Sequence, residues 1–112
     1  MEPGLTDIYG ANATQSSTQL VIAKGDLTGL TASATNTAES LLVALLLKAM
    51  TTLTPANQAT NPDQSITVAV GTPTLTTEFD ATTQTSTQYK ETPITVTLRK
   101  PYTDTGIDPD DY

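Results

Sequence analysis

The sequence predicts an α+β fold, in which a small, mainly antiparallel β-sheet packs on one apolar α-helix and extended arms flank the domain on both sides. Threonine, whose β-branched side chain suits a pleated strand, supplies 25 of the 112 residues. One segment, residues 41–47, is continuously apolar, and in two others every second residue is a large apolar one. The length corresponds to one domain.

The apolar segment predicts a helix over about residues 37–53. Asn36 is the predicted N-cap, because its side chain can accept a hydrogen bond from a backbone N–H of the first turn. Glu39 follows three residues later, as in a capping box. The helix is expected to end before Thr54-Pro55, since the residue before a proline avoids helical geometry.

Four strands are predicted, at about residues 19–24, 65–70, 74–79 and 93–99. The clearest is SITVAV at 65–70, where every second residue is apolar. The last strand repeats this pattern, with Pro93 near its start, and carries the predicted sheet-strand residues Ile94, Val96 and Leu98. Two segments are predicted to lack regular structure, a loop at 54–64 and a mobile tip at 80–88, DATTQTSTQ.

Three regions are predicted along the chain: an N-terminal arm at 1–18, an α+β domain at 19–100, and an acidic C-terminal arm at 101–112. The N-terminal arm is polar and small, so it cannot bury enough apolar area to fold by itself. In the C-terminal arm, four aspartates are predicted to make a salt-sensitive contact with a basic patch of a partner: Asp104, Asp108, Asp110 and Asp111.

The composition excludes most catalytic and metal chemistry. The chain contains no histidine and no cysteine, so Ser-His and Cys-His pairs, imidazole or thiolate metal ligands and disulfides are excluded. A net charge of −7 argues against nucleic acid and anionic membranes as main partners. The apolar run is also too short for a membrane span, which takes about 20 residues. We therefore predict no catalytic residue, no cofactor, no metal ligand and no membrane or nucleic-acid partner.

Further motifs carry only weak signals. The opening residues, MEPGLTDIYG, contain neither a basic region nor an apolar run, so no signal peptide is expected. The triplet Asp104-Thr105-Gly106 matches aspartic proteases, but those families place it early, after an apolar strand, and pair two such aspartates. The aspartates of the C-terminal arm lack the spacing of an EF-hand, which favours a solvated acidic tail over a calcium site.

The predicted helix is apolar over a wider arc than one sheet needs. Its apolar residues cover about 200° of the helical wheel, whereas a helix lying on one sheet uses about 100°. Two interpretations remain: a small sheet curls around the whole arc, or a second copy of the chain covers the excess. The small size of the domain slightly favours the second copy. The candidate core and oligomer-contact residues are Leu42, Val43, Leu45, Leu46, Leu47, Met50 and Leu53.

Residues 19–49, QLVIAKGDLTGLTASATNTAESLLVALLLKA, resemble small threonine-rich structural proteins of tailed bacteriophages of the cyanophage and prophage type. The resemblance implies a non-enzymatic virion protein, made in the host cytoplasm. It would be a capsid decoration (cement) protein or else a tail, neck or baseplate component. Its implied partners are copies of itself, for example in a trimer, and other virion structural proteins. The alternative from another class is an adhesive or carbohydrate-binding β module that presents residues 80–88.

Overall fold

A computed structural model describes residues 2–102, Gly106 and residues 109–111. The helices are α1 (Leu5–Tyr9), α2 (Ala38–Thr52) and α3 (Pro55–Thr60), with 3-10 turns at Lys24–Asp26 and Pro109–Asp111. The strands are β1 (Thr14–Gln15), β2 (Leu20–Val21), β3 (Ile66–Val70), β4 (Thr74–Asp80), β5 (Thr85–Glu91) and β6 (Ile94–Leu98). One main helix packs against small antiparallel sheets, so the predicted α+β class is confirmed.

Helix α2 begins and ends within one residue of the prediction, but its N-cap differs. Thr37 is the N-cap, and its Oγ1 accepts a hydrogen bond from the Ser40 N–H at 3.1 Å. The Asn36 side chain instead accepts from the Ser33 N–H and donates to the Thr31 carbonyl. The prediction of Asn36 as the cap is wrong because these loop contacts hold its side chain away from the first turn.

We expect Thr37→Ala to lower the free energy of unfolding by about 1 kcal/mol, because the Ser40 N–H loses its side-chain acceptor. Thr31→Ala is the matched control, since it removes an exposed threonine side chain from the same loop. Urea unfolding followed by circular dichroism measures both variants. Equal losses of stability in the two would contradict the capping role.

Helix α3 lies where a loop was predicted. Thr54 caps it, with Oγ1 accepting a hydrogen bond from the Asn57 N–H at 3.0 Å, and Pro55 occupies the first turn. Proline is well suited to that position, because the N–H it lacks has no partner inside the helix. The loop prediction is therefore wrong over Pro55–Thr60, where the proline begins a helix.

Within the described residues, the strands form three separate two-stranded antiparallel sheets in place of the single predicted sheet: β1 with β2, β3 with β6, and β4 with β5. In the β3–β6 pair, Ile66 lies opposite Leu98 and Val70 opposite Ile94. The apolar residues of both strands therefore share one face, as the alternation predicts.

A bulge separates the β3–β6 pair from the β4–β5 pair. Val70 pairs with Ile94 and Thr74 with Glu91, so residues 71–73 lie opposite only two residues of the returning strand. One extra residue bends a ribbon and increases its twist. Gly71 fits this bend, because its N–H donates to the Pro93 carbonyl and a Cβ would come within 2.7 Å of the Pro93 ring. Two short pairs result where one long ribbon could have formed.

The segment predicted as a mobile tip, residues 80–88, belongs mostly to a β-hairpin. Strand β5 begins at Thr85, and the turn occupies only residues 81–84. The Asp80 carboxylate accepts the Thr82 N–H at 2.9 Å, and Gln84 adopts a left-handed conformation with φ of 54°. The prediction is wrong over residues 85–88, because cross-strand pairing rather than apolar alternation orders this polar strand.

Part of the predicted N-terminal arm belongs to the folded domain. Helix α1 packs on α2, where Thr52 Oγ1 donates a hydrogen bond to the Asp7 carbonyl at 2.9 Å. Ile8 lies against the hydrophobic core. The arm prediction is wrong for α1, because one apolar side chain and a local bond from the Gly4 N–H to the Asp7 carboxylate suffice to form and dock a short helix.

The predicted strand at residues 19–24 is shorter in the structure. Strand β2 contains only Leu20 and Val21, and the chain then turns through the 3-10 turn at Lys24–Asp26 to bury Leu27. The Asp26 carboxylate accepts the Asn12 N–H at 2.9 Å, which ties this turn to the N-terminal segment. Long-range hydrogen bonding of this kind ends the strand, although the local apolar pattern would continue it.

The hydrophobic core is small and lies at the C-terminal half of α2. Ala49, Leu53 and Val68 are buried there, and four half-buried side chains surround them: Ile8, Met50, Ile66 and Ile94. The Leu53 carbonyl accepts the Val68 N–H at 2.8 Å, which joins β3 to the end of the helix. The N-terminal half of α2 lies outside this core.

Candidate functional site

The seven candidate residues of α2 and its C-terminal flank divide into core and surface. Leu53 is buried, whereas Leu42 is 56 % exposed and Val43 is 49 % exposed. The remaining candidates are half-buried: Leu45, Leu46, Leu47 and Met50. Leu42, Val43, Leu46 and Leu47 share the uncovered side of the N-terminal half, and we name these four residues the α2 apolar face.

Two parts of the chain cover other sides of α2. Helix α1 and strand β3 pack on it, with β3 reaching its C-terminal end. The segment containing Leu27 and Leu30 crosses the N-terminal half, where Leu27 and Ala44 are buried. The interpretation that a curled sheet covers the whole apolar arc is wrong, because the sheets are too small and the bulge directs β4 and β5 elsewhere.

Two shallow grooves flank the crossing segment. One, of about 260 Å³, is almost entirely apolar and is lined by Ile22, Lys24, Leu27, Leu41, Leu42 and Leu45. The other, of about 240 Å³, is lined in part by Leu30, Val43 and Leu47. Side chains from a neighbouring molecule could insert on both sides of the same helix. Apolar grooves beside an exposed apolar helix are typical of protein-contact surfaces.

Helices α2 and α3 together form a 23-residue stretch, Ala38–Thr60, that is long and apolar enough to cross a membrane by length and composition. The chain leaves helical geometry at Leu53 and Thr54, between the two helices. Helix α2 alone has 15 residues, about 22 Å at 1.5 Å per residue, which is less than the roughly 30 Å of a bilayer core. This interruption favours a protein contact for the apolar residues.

The predicted sheet-strand residues also leave much of their apolar surface uncovered. Ile94 packs on the core, whereas Val96 and Leu98 are exposed, Leu98 at 73 %. They lie on the same face as Val70, which is exposed as well. The sheet thus contributes to the core at Ile66, Val68 and Ile94, and presents an apolar surface beyond it.

The β4–β5 hairpin adds apolar surface that the sequence interpretation did not single out. Leu75 is 64 % exposed and Phe79 is 66 % exposed, and alternation places both on one face of β4. Tyr89, on β5, lies opposite Thr76 and so on the other face. The alternating spacing of Leu75, Thr77 and Phe79 predicts strand β4. Its partner β5 is polar, so no apolar alternation predicts that strand.

Two of the four predicted acidic contact residues fall outside the described part of the chain. Asp104 and Asp108 lie outside it, and so does most of the Asp-Thr-Gly triplet. Asp110 is exposed, and Asp111 ends the 3-10 turn at Pro109–Asp111. The contact between this arm and a basic partner stays a prediction.

Among the described residues, no group of three or more histidine, cysteine, aspartate or glutamate side chains is placed to hold a metal ion. A concavity of about 340 Å³ is lined by Pro62, Gln64, Ser65, Arg99, Lys100 and Pro101. It brings two cations together, but the lining residues include no histidine, aspartate or glutamate that could act as a general base on its single hydroxyl, that of Ser65. The structure also leaves large apolar side chains exposed, including Leu42, Leu75 and Phe79, and such surfaces are suited to contacts with other proteins.

No family model matches this chain, and neither the curated proteins nor the solved structures include a significant match.

Proposed function

We propose that this protein is a non-enzymatic structural protein of the virion of a tailed bacteriophage, acting by assembly, as a capsid decoration (cement) protein. A tail, neck or baseplate component is the alternative position within the virion. The resemblance of residues 19–49 to phage structural proteins supports a location in the virion. The exposed apolar surfaces support a role in assembly. Its partners would be copies of itself and other virion structural proteins.

The surface area of the single chain is the observation that carries this proposal. Its accessible surface is 8629 Å², whereas a compact protein of 11.8 kDa exposes about 5,900 Å². Its radius of gyration is 19.9 Å, against about 13 Å for a compact chain of this length. The excess of roughly 2,700 Å² exceeds the roughly 800 Å² that each partner buries in a standard interface. The total surface of the chain is therefore large enough to include more than one standard interface.

Self-association would use the α2 apolar face. Val43 and Leu46 of this face are followed by the half-buried Met50, which also packs against the core, at intervals of three and four residues, the spacing of a helix–helix seam. Leu42 and Leu47 flank this seam on its two sides. The two grooves beside the crossing segment would receive side chains of the neighbouring helix. This geometry suits a small symmetric oligomer, for example the trimer that the sequence interpretation names.

Attachment to other virion proteins would use the remaining surfaces. The exposed Val70, Val96 and Leu98 provide an apolar patch, and the C-terminal arm supplies the charged contact through its aspartates. Helix α1 is part of the folded body. A deletion of residues 1–18 would remove Ile8 from the core. Such a deletion could impair folding as well as tethering to the virion, so it would not separate the two.

One observation favours the adhesive alternative. Residues 81–84 form a fully exposed polar turn at the end of a projecting hairpin, the kind of position from which binding loops are presented. Thr83 and Thr85 exchange a hydrogen bond between their hydroxyls at 2.7 Å, which orders this turn. Such a turn could present hydroxyl groups to a carbohydrate.

Replacing residues 81–84 with Ser-Gly-Ser-Gly separates the two functions. The last glycine takes the left-handed position of Gln84 without strain, so the hairpin should still form. We expect the wild type to sediment as an oligomer and the variant to sediment identically, because the turn lies outside the α2 apolar face. A variant that keeps its oligomeric state but loses binding to host cells or a glycan array would favour adhesion. A wild type that stays monomeric at every concentration would overturn the assembly proposal.

A further inference from the structure

The β4–β5 hairpin has no packing layer of its own. Its two strands have seven residues each and pair over their whole length. Apart from the half-buried Thr76, every residue of both strands is exposed. A two-stranded hairpin is marginally stable in water, whereas three or more strands with an apolar face can stand alone. A neighbouring molecule could therefore stabilise this hairpin by adding strands to its edge.

The two outer edges of the hairpin differ in how well they are protected against strand addition. Lysine and proline on or beside an edge strand discourage further pairing. Strand β5 carries Lys90 and is followed closely by Pro93. Strand β4, Thr74–Asp80, is directly preceded by Pro73, so proline flanks both strands, but β4 contains no lysine or arginine to match Lys90. Within the described part of the chain, β4 pairs only with β5. Every second residue of β4 points its backbone N–H and C=O away from β5. The open edge of β4 is thus the natural site for an added strand.

We propose that two copies of the chain pair antiparallel through their β4 edges, forming a four-stranded sheet in the order β5–β4–β4–β5 across a two-fold axis. The inference rests on the proposed assembly function, and it names the partner of the hairpin as the hairpin of a second copy. A two-fold contact uses the same patch on both subunits, so the β4 sequence must complement itself.

One register meets this requirement. When Thr77 lies opposite Thr77 of the other copy, each Leu75 faces a Phe79, and the four exposed apolar side chains gather on one face. In the same register, Glu78 lies opposite Thr76, so no carboxylate directly faces another. Centring the pair on Glu78 would place two carboxylates opposite each other. Centring it on Thr76 would leave Leu75 and Phe79 without apolar partners.

The β4 contact and the α2 contact use separate parts of the chain, so one molecule could make both at once. A two-fold contact combined with a second, different self-contact links molecules into a closed multi-subunit particle or an extended array. The proposal thus gives a physical route from a small oligomer to a lattice.

A single-cysteine experiment tests the pairing, since the chain contains no cysteine. In the proposed register the Cα atoms of the two Thr77 residues would lie roughly 4.5–5.5 Å apart, within the range that a disulfide spans. We expect Thr77→Cys to form a disulfide-linked dimer at least tenfold faster than Gln88→Cys under mild oxidation. Gln88 is the matched control, because it is the cross-strand partner of Thr77 at the same height of the hairpin. Equal rates, or faster cross-linking at residue 88, would overturn the proposal.

Hydrogen exchange on the wild-type protein provides a second measurement that needs no variant. We expect the β4 amides that point away from β5 to exchange at least tenfold more slowly than the outward-pointing amides of β5. Equal exchange at the two edges would overturn the pairing even if Thr77→Cys failed to fold. If the wild type is oligomeric and residue 77 shows no preference, only the β4 contact fails. If the wild type is monomeric and neither cysteine cross-links quickly, the proposed function fails with it.

Discussion

Replacing Leu42 and Val43 together with lysine should shift the proposed oligomer towards monomers. Both side chains are about half exposed in the single chain, so their remaining apolar area is available to a neighbouring molecule. Burying a whole leucine or valine side chain contributes about 1.5–3 kcal/mol, and about half of each is still exposed, so the double variant should lose about 1.5–3 kcal/mol of association free energy. The dissociation constant should rise roughly tenfold to a hundredfold. Sedimentation velocity over a range of concentrations measures the change.

Lysine is the replacement because it should neither destabilise helix α2 nor increase the repulsion between copies. A loss of association can then be assigned to the lost apolar contact. A lysine at position 43 follows Glu39 by four residues, the favourable order for an ion pair on a helix. The double variant also changes the net charge from −7 to −5, which reduces the repulsion between copies. Thr51→Lys is the control, because Thr51 is exposed on another side of α2. A double variant that sediments like the wild type would exclude the α2 apolar face as the contact.

Replacing Gln64 with leucine should cause the largest loss of stability among single polar substitutions. Gln64 is 1 % exposed, and its Nε2 donates hydrogen bonds to the Thr54 carbonyl at 3.1 Å and the Ile66 carbonyl at 2.9 Å. Leucine keeps a similar volume but removes this donor from both carbonyls; the Thr54 carbonyl still accepts the Gln58 N–H at 3.1 Å, whereas the Ile66 carbonyl loses the bond from Gln64. An unsatisfied buried group costs about 1–3 kcal/mol, so the free energy of unfolding should fall by about 1–3 kcal/mol.

The control for this substitution is Gln58→Leu. Gln58 is half-buried and its Nε2 donates one bond, to the Gln64 carbonyl at 2.9 Å, so we expect a loss of about 1 kcal/mol. Urea midpoints followed by circular dichroism compare the two variants. An unchanged midpoint for Gln64→Leu would show that this glutamine does not hold the α2–β3 connection together.

The elements with strong local periodicity were predicted well. Helix α2 lies within one residue of its predicted bounds, and β3, β4 and β6 each differ from theirs by one residue at most at either end. In each case the apolar spacing marks the type of element, and a nearby proline marks one of its ends. Local sequence is sufficient to predict a helix or strand where the apolar spacing repeats over several residues.

The elements that the sequence missed depend on partners far along the chain. Strand β5 is polar, and it is a strand because β4 pairs with it from Thr74 to Asp80. Helix α1 has five residues, too few to be stable alone, and it is held by the bond from Thr52 to Asp7 and by the packing of Ile8. Gln64 looks like an ordinary loop residue until Thr54 and Ile66 are brought beside it.

The sequence predicts only part of the candidate surface, again because burial depends on segments that are far apart in the chain. The width of the apolar arc on α2 is a property of the sequence, because side-chain direction follows from helical geometry. Which part of that arc stays uncovered depends on where the segment around Leu27 crosses the helix and where β3 ends. Of the candidate core and oligomer-contact residues, Leu53 belongs to the core, and the contact of the exposed ones with a second copy stays a prediction.

By itself the sequence determined the α+β class, the position of the main helix, the apolar faces of its strands and the absence of histidine and cysteine chemistry. Only the tertiary structure decided that the strands form separate pairs, that the N-terminal helix belongs to the body, and that Leu42, Val43, Leu75 and Phe79 remain exposed. The physical reason is that periodicity and capping act over a few neighbouring residues, whereas burial depends on contacts between segments far apart in the chain.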